Sequence, residues 1–114
     1  MSLNTDREVL AGVLSGVAGV KGYEYRPPAP QPGDAWPTLP SLTLEQGLVW
    51  RPTWTVNVVL PSDERDAALW IDAHFIALVT ALRSGNGWPE AAEPALMETN
   101  LGNLLILEIT LRSH

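Results

Sequence analysis

The sequence predicts a single α+β domain in which two helices pack on a mostly antiparallel sheet of four to five strands. Two segments carry apolar residues at helical spacing, and the segments around them alternate between apolar and polar residues, as strands do. A chain of 114 residues is the size of one domain, and folding hides roughly two thirds of its extended surface. Prolines and glycines concentrate between these segments, where they interrupt regular structure.

The first helix is predicted to begin at Thr5. In Thr5-Asp6-Arg7-Glu8, the threonine hydroxyl and the glutamate carboxylate fit a capping box, which satisfies free amides at a helix start. Apolar residues then follow at helical spacing, namely Val9, Leu10, Val13, Leu14 and Val17. Gly16 and Gly19 weaken the helix, and Gly22 ends any continuation.

A short strand is predicted between Val20 and Tyr25, before the first prolines. Six of the ten prolines fall between Pro27 and Pro40. Because proline lacks an amide donor and has a fixed φ, we interpret residues 26–40 as an ordered proline-rich loop. Trp36 in this loop either packs back on the sheet or contacts a partner, and the sequence leaves both roles open.

Two strands are predicted in the middle of the chain. Residues 41–50 alternate until Arg51-Pro52 interrupts them, and residues 53–60 alternate more regularly. In the second strand one face is fully apolar, with Trp54, Val56, Val58 and Leu60. We expect that face to be buried and the opposite face to be more polar.

A long helix is predicted from Ser62, a suitable N-cap, to about Arg83. Acidic residues in its first turn suit the positive end of the helix dipole. Its inward stripe consists of Ala68, Ile71, Phe75, Leu78 and Leu82. Trp70 and His74 lie on an adjacent strip, which widens the apolar face and indicates a second packing surface such as a neighbouring subunit.

The last part of the chain is predicted to form two strands. Gly85-Asn86-Gly87 is a turn, and Pro94 makes residues 90–100 an irregular edge strand. After a turn at residues 100–103, the alternation of Leu105, Leu107, Ile109 and Leu111 predicts a regular closing strand.

Composition excludes several classes of function. The net charge of −6, with a single lysine, is the wrong sign for gripping a phosphate backbone. The absence of cysteine excludes disulfides, iron–sulfur clusters and thiolate zinc sites. No uninterrupted apolar run approaches the ~20 residues that cross a bilayer, and we expect no secretion signal and no membrane partner.

The sequence contains no recognisable active site. It lacks the serine-hydrolase elbow, the phosphate-binding loop and the dinucleotide fingerprint, so we expect no enzyme activity, no cofactor and no metal. His74 lies too far around the helix from Asp72 to form a dyad, and we interpret it as a core or boundary histidine. The acidic residues Asp63, Glu64 and Asp66 are explained by the helix start.

Two groups of residues have roles that the sequence leaves open. One group consists of three glutamates, Glu90, Glu93 and Glu98. They form either a solvated sheet edge that prevents aggregation or a surface that faces a molecule to which the protein must not bind. Of the five tryptophans, Trp54 and Trp70 have the spacing of core residues. Trp36, Trp50 and Trp88 lie in loops or at strand ends, where an interface role is open for at least one of them.

The segment from Trp54 to Pro61, the acidic-capped helix through Leu82, and the closing segment from Leu104 to Leu111 resemble the small tail terminator proteins of long-tailed bacteriophages, especially those of actinobacterial hosts. The N-terminal helix and the proline loop fit the same arrangement. The resemblance covers nearly the whole chain and lies in order, length and hydrophobic pattern.

This resemblance implies a structural virion protein, assembled in the host cytoplasm, that forms a ring of six at the head-proximal end of the tail tube. The ring ends tube growth and joins the tail to the head, so its partners are the tail tube protein and a head-completion or stopper protein. DNA passes through the ring without specific binding. No catalysis, cofactor or metal is implied.

A ring with head-to-tail contacts needs two different surfaces on each chain. The candidate interface residues are Trp36, Trp50, Trp70, His74 and Trp88. The candidate channel-lining residues are Glu90, Glu93 and Glu98, whose carboxylates would repel phosphates and let DNA slide.

Two alternatives stay open. The first is a head–tail adaptor or stopper protein, which also forms a small ring in the neck of the virion. The second is a ferredoxin-like module for a small ligand or for regulation, which would dimerise through its sheet and line a pocket with Trp88 and Trp50.

Overall fold

The computed structural model describes residues 2–45, 47, 49–85, 87–100 and 102–113. The predicted features at Gln46, Leu48, Asn86 and Leu101 lie outside these residues. In chain order the elements are α1 (Leu3–Ser15), β1 (Lys21–Gly22), β2 (Asp34–Pro37), β3 (Ser41–Glu45), β4 (Val49–Val59), α2 (Glu64–Gly85), β5 (Gly87–Thr99) and β6 (Gly102–Ser113). The predicted α+β fold is confirmed, with six strands in the sheet instead of four to five.

The sheet has the order β1-β2-β4-β6-β5, and β3 also pairs with β4. β1 and β2 are parallel, and the other pairs are antiparallel. β2 pairs with residues 56–58 of β4 and β3 with residues 49–53, so both lie along one edge of β4. β5 forms the opposite edge of the sheet.

Both helices pack on one face of the sheet, where the main core lies. The predicted apolar face of β4 is buried there, with Trp54 only 1% exposed. It meets α1 through Leu10 and Leu14 and α2 through Leu78 and Leu82. The helical spacing and the strand alternation therefore converge on one core, as predicted, except that Ala68 of the predicted α2 stripe is exposed and Ala67 is buried instead.

A smaller apolar cluster lies in the sheet apart from that core, and Trp36 belongs to it. Trp36 is 3% exposed and packs with Val59 and Ile106. The prediction of a loop over residues 26–40 is wrong at this point, because β2 is a strand that pairs with β4. β2 tolerates Pro37 because β1 pairs only with Asp34 and Ala35, so β2 is an edge strand at the proline.

The helix starts differ from the prediction. Ser2 is the N-cap of α1, since its hydroxyl accepts a hydrogen bond from the Thr5 amide at 3.2 Å. In α2 the cap is Asp63, whose Oδ2 accepts from the Asp66 amide at 3.2 Å, and not Ser62. In both helices the side-chain oxygen of the N-cap accepts a hydrogen bond from the free backbone amide three residues later. Ser2 is therefore the N-cap of α1 in place of the predicted Thr5.

Proline interrupts the strands less than predicted. β4 continues through Pro52, which pairs with Leu42 of β3 in a stretch where the described pairs to β6 have not yet begun. The predicted irregular edge strand is confirmed as β5, which has a register shift between Pro89 and Ala91. An edge strand tolerates prolines because one of its sides needs no ladder hydrogen bonds.

α2 is long and apolar enough, by length and composition, to cross a membrane. The sequence analysis did not indicate this, because α2 contains no uninterrupted apolar run of that length. Helices in the core of a soluble domain meet the same criteria. In this chain α2 buries Ala67, Leu78 and Leu82 against the rest of the domain. Its other side holds the exposed residues Leu69 and Ile76.

Candidate interaction surfaces

The hairpin of β3 and the first part of β4 extends the sheet beyond the other strands. Pairs between β3 and β4 continue to Glu45↔Val49, whereas the pairs between β4 and β6 begin at Thr53↔Arg112. The molecule is correspondingly elongated, with extents of 47 × 29 × 21 Å. Among the described residues, the helices lie mainly against strands outside this two-stranded ribbon, α1 against β1 and β2 and α2 against β5.

The ribbon exposes apolar side chains. Leu44 and Trp50 are paired across it, and they are 49% and 52% exposed. Leu42, also exposed, is paired with Pro52. By strand alternation these residues share the face of Trp54, so the apolar side of the sheet continues past the edge of the core into solvent.

Arginines and a second tryptophan surround this ribbon. Arg51 lies 3.6 Å from Glu45 and Arg112 lies 3.2 Å from Glu90. The Arg83 guanidinium stands 5.9 Å from the centre of the Trp88 ring. Trp88 is paired with Arg112 and is half exposed. Arg51 and Arg112 lie on the strand face opposite to Leu44 and Trp50, because Arg51 is paired with Thr43 and Arg112 with Thr53. We call this end of the sheet, with both of its faces, the hairpin end, defined by Leu42, Leu44, Trp50, Arg51, Arg83, Trp88 and Arg112.

A second apolar surface is a groove between α2 and β5. The groove has a volume of about 480 Å³. Its apolar lining comprises Leu60, Ala67, Ala68, Ile71, Pro94, Leu96 and Leu105, and its polar lining comprises Ser62 and Glu64. Leu96 is 69% exposed, so the groove opens to solvent. We call it the α2–β5 groove.

The α2–β5 groove and the hairpin end lie at opposite ends of β4. Leu60 in the groove directly follows the last residue of β4, whereas the hairpin is formed at its first residues. They also lie toward opposite edges of the sheet, since β3 and β5 are on different sides of β4. The chain therefore presents two distinct apolar surfaces, far apart on an elongated molecule.

The charge of the two surfaces differs. Carboxylates mark the start of α2 at the groove, where Asp63, Glu64 and Asp66 have Arg65 as their basic neighbour. The hairpin end has three arginines and two glutamates, since Arg51 lies beside Glu45, Arg112 beside Glu90, and Arg83 over Trp88. One surface is thus acidic and the other slightly basic.

The face of the sheet away from the helices carries further carboxylates. Glu93 and Glu108 are directly opposite each other on β5 and β6. Glu108 is in turn opposite Asn57 on β4. Like charges in such a position destabilise a sheet, so this pair makes the part of the open face around Glu93 and Glu108 acidic at a cost in stability.

The three predicted channel residues are therefore not equivalent. Glu93 lies on the open face, and Glu90 is paired with Arg112 near the hairpin end. Glu98 lies elsewhere, beside a cleft lined by Arg26, Pro27 and Pro28. Glu108, which the sequence analysis did not single out, is the residue that the sheet register brings to Glu93.

Trp70 and His74 pack within their own chain. Their rings stack with centroids 4.3 Å apart, and His74 Nδ1 lies 2.8 Å from the Trp70 carbonyl oxygen. On the other side of the imidazole, a Cβ added at Gly19 would come within 2.6 Å of Nε2. Both residues are half-buried, since His74 lies beside Gly19 and Trp70 packs against the main core.

The predicted interface set is therefore corrected. Trp36 is buried in the sheet, and Trp70 and His74 are largely covered by the chain itself, so these three do not form an open docking surface. Trp50 and Trp88 remain exposed, and both lie at the hairpin end. The apolar residues that α2 does expose are Leu69 and Ile76.

Arg7 is a structural residue that the sequence analysis did not identify. It is buried, and its guanidinium donates to the carbonyl oxygens of Glu24, Pro37 and Thr38 at 2.7, 2.9 and 3.4 Å. The guanidinium also lies over the rings of Tyr25 and Trp54. The spacing of Arg7 is an indication of its burial, because Arg7, Leu10 and Leu14 lie on one face of α1.

Among the described residues, no three histidine, aspartate or glutamate side chains come together in a way that could hold a metal ion. A scan against protein-family models found no match, nor did searches of curated proteins and of solved structures.

Proposed function

We propose that this chain is a structural protein of a phage virion that forms a ring at the head-proximal end of the tail tube, ends tube growth and joins the tail to the head. The observation that carries the proposal is the pair of different apolar surfaces at opposite ends of β4. The resemblance to tail terminator proteins supplies the identity of the ring and the number of six subunits.

The two surfaces support a ring because a contact between unlike surfaces leaves one of each kind unused. A further copy adds to the unused surface, and the chain of copies closes when the rotation per copy divides a full turn. Exposed large apolar residues such as Trp50, Leu44 and Leu96 are typical of surfaces that contact another protein.

The acidic open face supports a second part of the proposal, the passage of DNA. Glu93 and Glu108 place two carboxylates side by side on a sheet face without a helix. Such a face repels phosphates if it lines the channel, which lets DNA slide. We therefore replace the predicted channel set by one centred on Glu93 and Glu108.

The experiment that tests the proposal measures the mass of the purified protein by light scattering over a range of concentrations. Negative-stain electron microscopy images the same samples alone, with purified tail tubes and with isolated head connectors. We expect six-membered rings, either free or at one end of each tube. Rings that bind isolated head connectors and leave tubes uncapped would assign the chain to the adaptor or stopper class. A dimer at all concentrations, with uncapped tubes, would contradict the proposal and favour the small-ligand or regulatory module.

A further inference from the structure

We infer that the open face of the sheet binds a hard divalent cation between Asn57, Glu108 and Glu93, with Ca²⁺ as the best fit. These residues form one row across three strands. Asn57 of β4 is directly opposite Glu108 of β6, and Glu108 is directly opposite Glu93 of β5. Residues in such pairs point to the same face, with Cβ atoms about 5 Å apart. The inference goes beyond the proposed function and does not rest on it.

The side chain of Asn57 is the observation that points to a ligand. Asn57 is only 4% exposed, and its side-chain amide makes no hydrogen bond to any residue that the structure describes. A buried amide without a partner is costly, because it has lost its hydration and gained nothing in return. Since Asn57 shares a face with Glu108, its amide oxygen can bind a cation held by the carboxylates.

The two carboxylates lack a counter-charge. Glu93 and Glu108 are like charges in a cross-strand pair, and neither forms an ion pair with a residue in the described part of the chain. Arg112, on the same face of β6, is four residues from Glu108, roughly 13 Å, and contacts Glu90 instead. A divalent cation would neutralise the pair, so the repulsion of phosphates proposed for this face belongs to the cation-free protein.

Burial increases along the row from solvent to the interior of the sheet. Glu93 is exposed, Glu108 is half-buried and Asn57 is buried. A cation can therefore enter beside Glu93 and exchange part of its water for the inner ligands. Trp36 is directly opposite Asn57 on β2, and its apolar cluster bounds the inner end of the row. Apolar neighbours lower the local dielectric constant, which strengthens the attraction between a cation and carboxylates.

The chemistry of the ligands favours Ca²⁺. Two carboxylates and one amide offer only oxygen, which hard cations prefer. In the next row of the same face Thr55 is opposite Thr110, and their hydroxyls are further oxygens. Ca²⁺ accepts about six to eight oxygens in variable geometry, whereas Mg²⁺ demands a near-octahedral set. Ligands on three separate strands suit the less demanding ion. With few protein ligands we expect weak binding, with a Kd on the order of 10⁻⁴ to 10⁻³ M.

The test measures the melting temperature of the full chain in EDTA, in CaCl₂ and in NaCl of the same ionic strength. We expect about 10 mM CaCl₂ to raise the melting temperature by about 4 °C above the NaCl sample, because the cation binds only the folded state. Glu93→Gln/Glu108→Gln should remove this shift. In EDTA the same variant should melt higher than the wild type, since the like-charge pair is gone.

Two further variants make the test specific to this row. Asn57→Leu keeps the size of the side chain and removes the amide oxygen. Isothermal titration calorimetry should show at least about fivefold weaker Ca²⁺ binding, with no loss of stability in EDTA, because no hydrogen bond to a described residue is lost. Glu64→Gln/Asp66→Asn removes two exposed carboxylates from the first turn of α2 and is the matched control, which should keep the wild-type shift.

Three results would overturn the inference. The first is a CaCl₂ shift no larger than the NaCl shift, and the second is a shift that persists in Glu93→Gln/Glu108→Gln. The third is wild-type affinity in Asn57→Leu. Loss of the shift in the Glu64→Gln/Asp66→Asn control would move the cation to the start of α2 and also contradict the site. The ring is tested by particle mass and electron microscopy, so its failure and the failure of the cation site are distinguishable.

Discussion

At the scale of single residues, Arg7 and Trp36 show how strongly tertiary contacts determine the role of a side chain. Arg7 is charged, yet it is buried because three backbone carbonyl oxygens and two aromatic rings surround its guanidinium. It ties α1 to the residues after β1 and to the end of β2. Buried polar groups of this kind are costly when one partner is removed.

We expect Arg7→Ala to lower the free energy of unfolding by about 3 kcal/mol, because it removes one buried and two part-buried hydrogen bonds to carbonyl oxygens. Arg7→Lys should lose less, since an ammonium keeps the charge but lacks the planar fork. Urea denaturation measures the change, with Arg65→Ala on the exposed side of α2 as the control. An Arg7→Ala variant as stable as this control would contradict the structural role.

Trp36→Ala should destabilise the domain by about 3 to 5 kcal/mol, as expected for truncation of a buried tryptophan. The indole packs with Val59 and Ile106, so its removal leaves a cavity. Thermal or urea unfolding checks this. A stable Trp36→Ala variant with impaired self-association would restore the interface role that the sequence left open.

At the scale of elements, the close approach of α1 to β1 depends on glycine. A Cβ at Gly22 would overlap the Ala11 carbonyl oxygen and would lie 2.8 Å from Leu14 Cβ. Gly12, on α1 itself, has open space at the corresponding position. The two glycines therefore differ in function, although both lie in the same short segment of sequence.

We expect Gly22→Ala to destabilise the domain by about 2 kcal/mol, since backbone must move to admit the methyl group. Gly12→Ala should stabilise it by about 0.5 to 1 kcal/mol through helix propensity. Melting temperatures of the two variants should move in opposite directions. Equal shifts in melting temperature would show that α1 does not approach β1 closely at Gly22.

At the scale of the whole molecule, the exposed apolar residues are concentrated in distinct places. The hairpin end and the α2–β5 groove occupy opposite ends of β4, and Leu69 and Ile76 lie apart on the outer side of α2. This distribution permits a test of which surface drives self-association.

Trp50→Ala should weaken self-association at least tenfold, about 1.4 kcal/mol, because it removes the aromatic anchor of the hairpin end. Stability should change by no more than about 0.5 kcal/mol, since Trp50 is 52% exposed. Ile76→Ala, at 73% exposure, is the matched control and should leave association unchanged. Sedimentation velocity over a concentration series measures both variants, and a stronger effect of Ile76→Ala would move the interface to α2.

The sequence by itself determined the α+β class, the apolar face of β4, the long helix α2 and the irregular edge strand β5. Each of these follows from a local pattern, because periodicity fixes which face of an element meets the core. It also placed Trp50 and Trp88 outside regular core positions, and both prove to be exposed.

Only the tertiary structure decided which tryptophans are exposed and which are buried. Trp36 is buried because β2 pairs with β4. His74 and Trp70 are half-buried, because His74 lies beside Gly19 and Trp70 packs against the main core. Glu93 lies opposite Glu108 because of the register in which β5 pairs with β6. These outcomes depend on contacts between residues far apart in the chain, which periodicity and spacing do not specify.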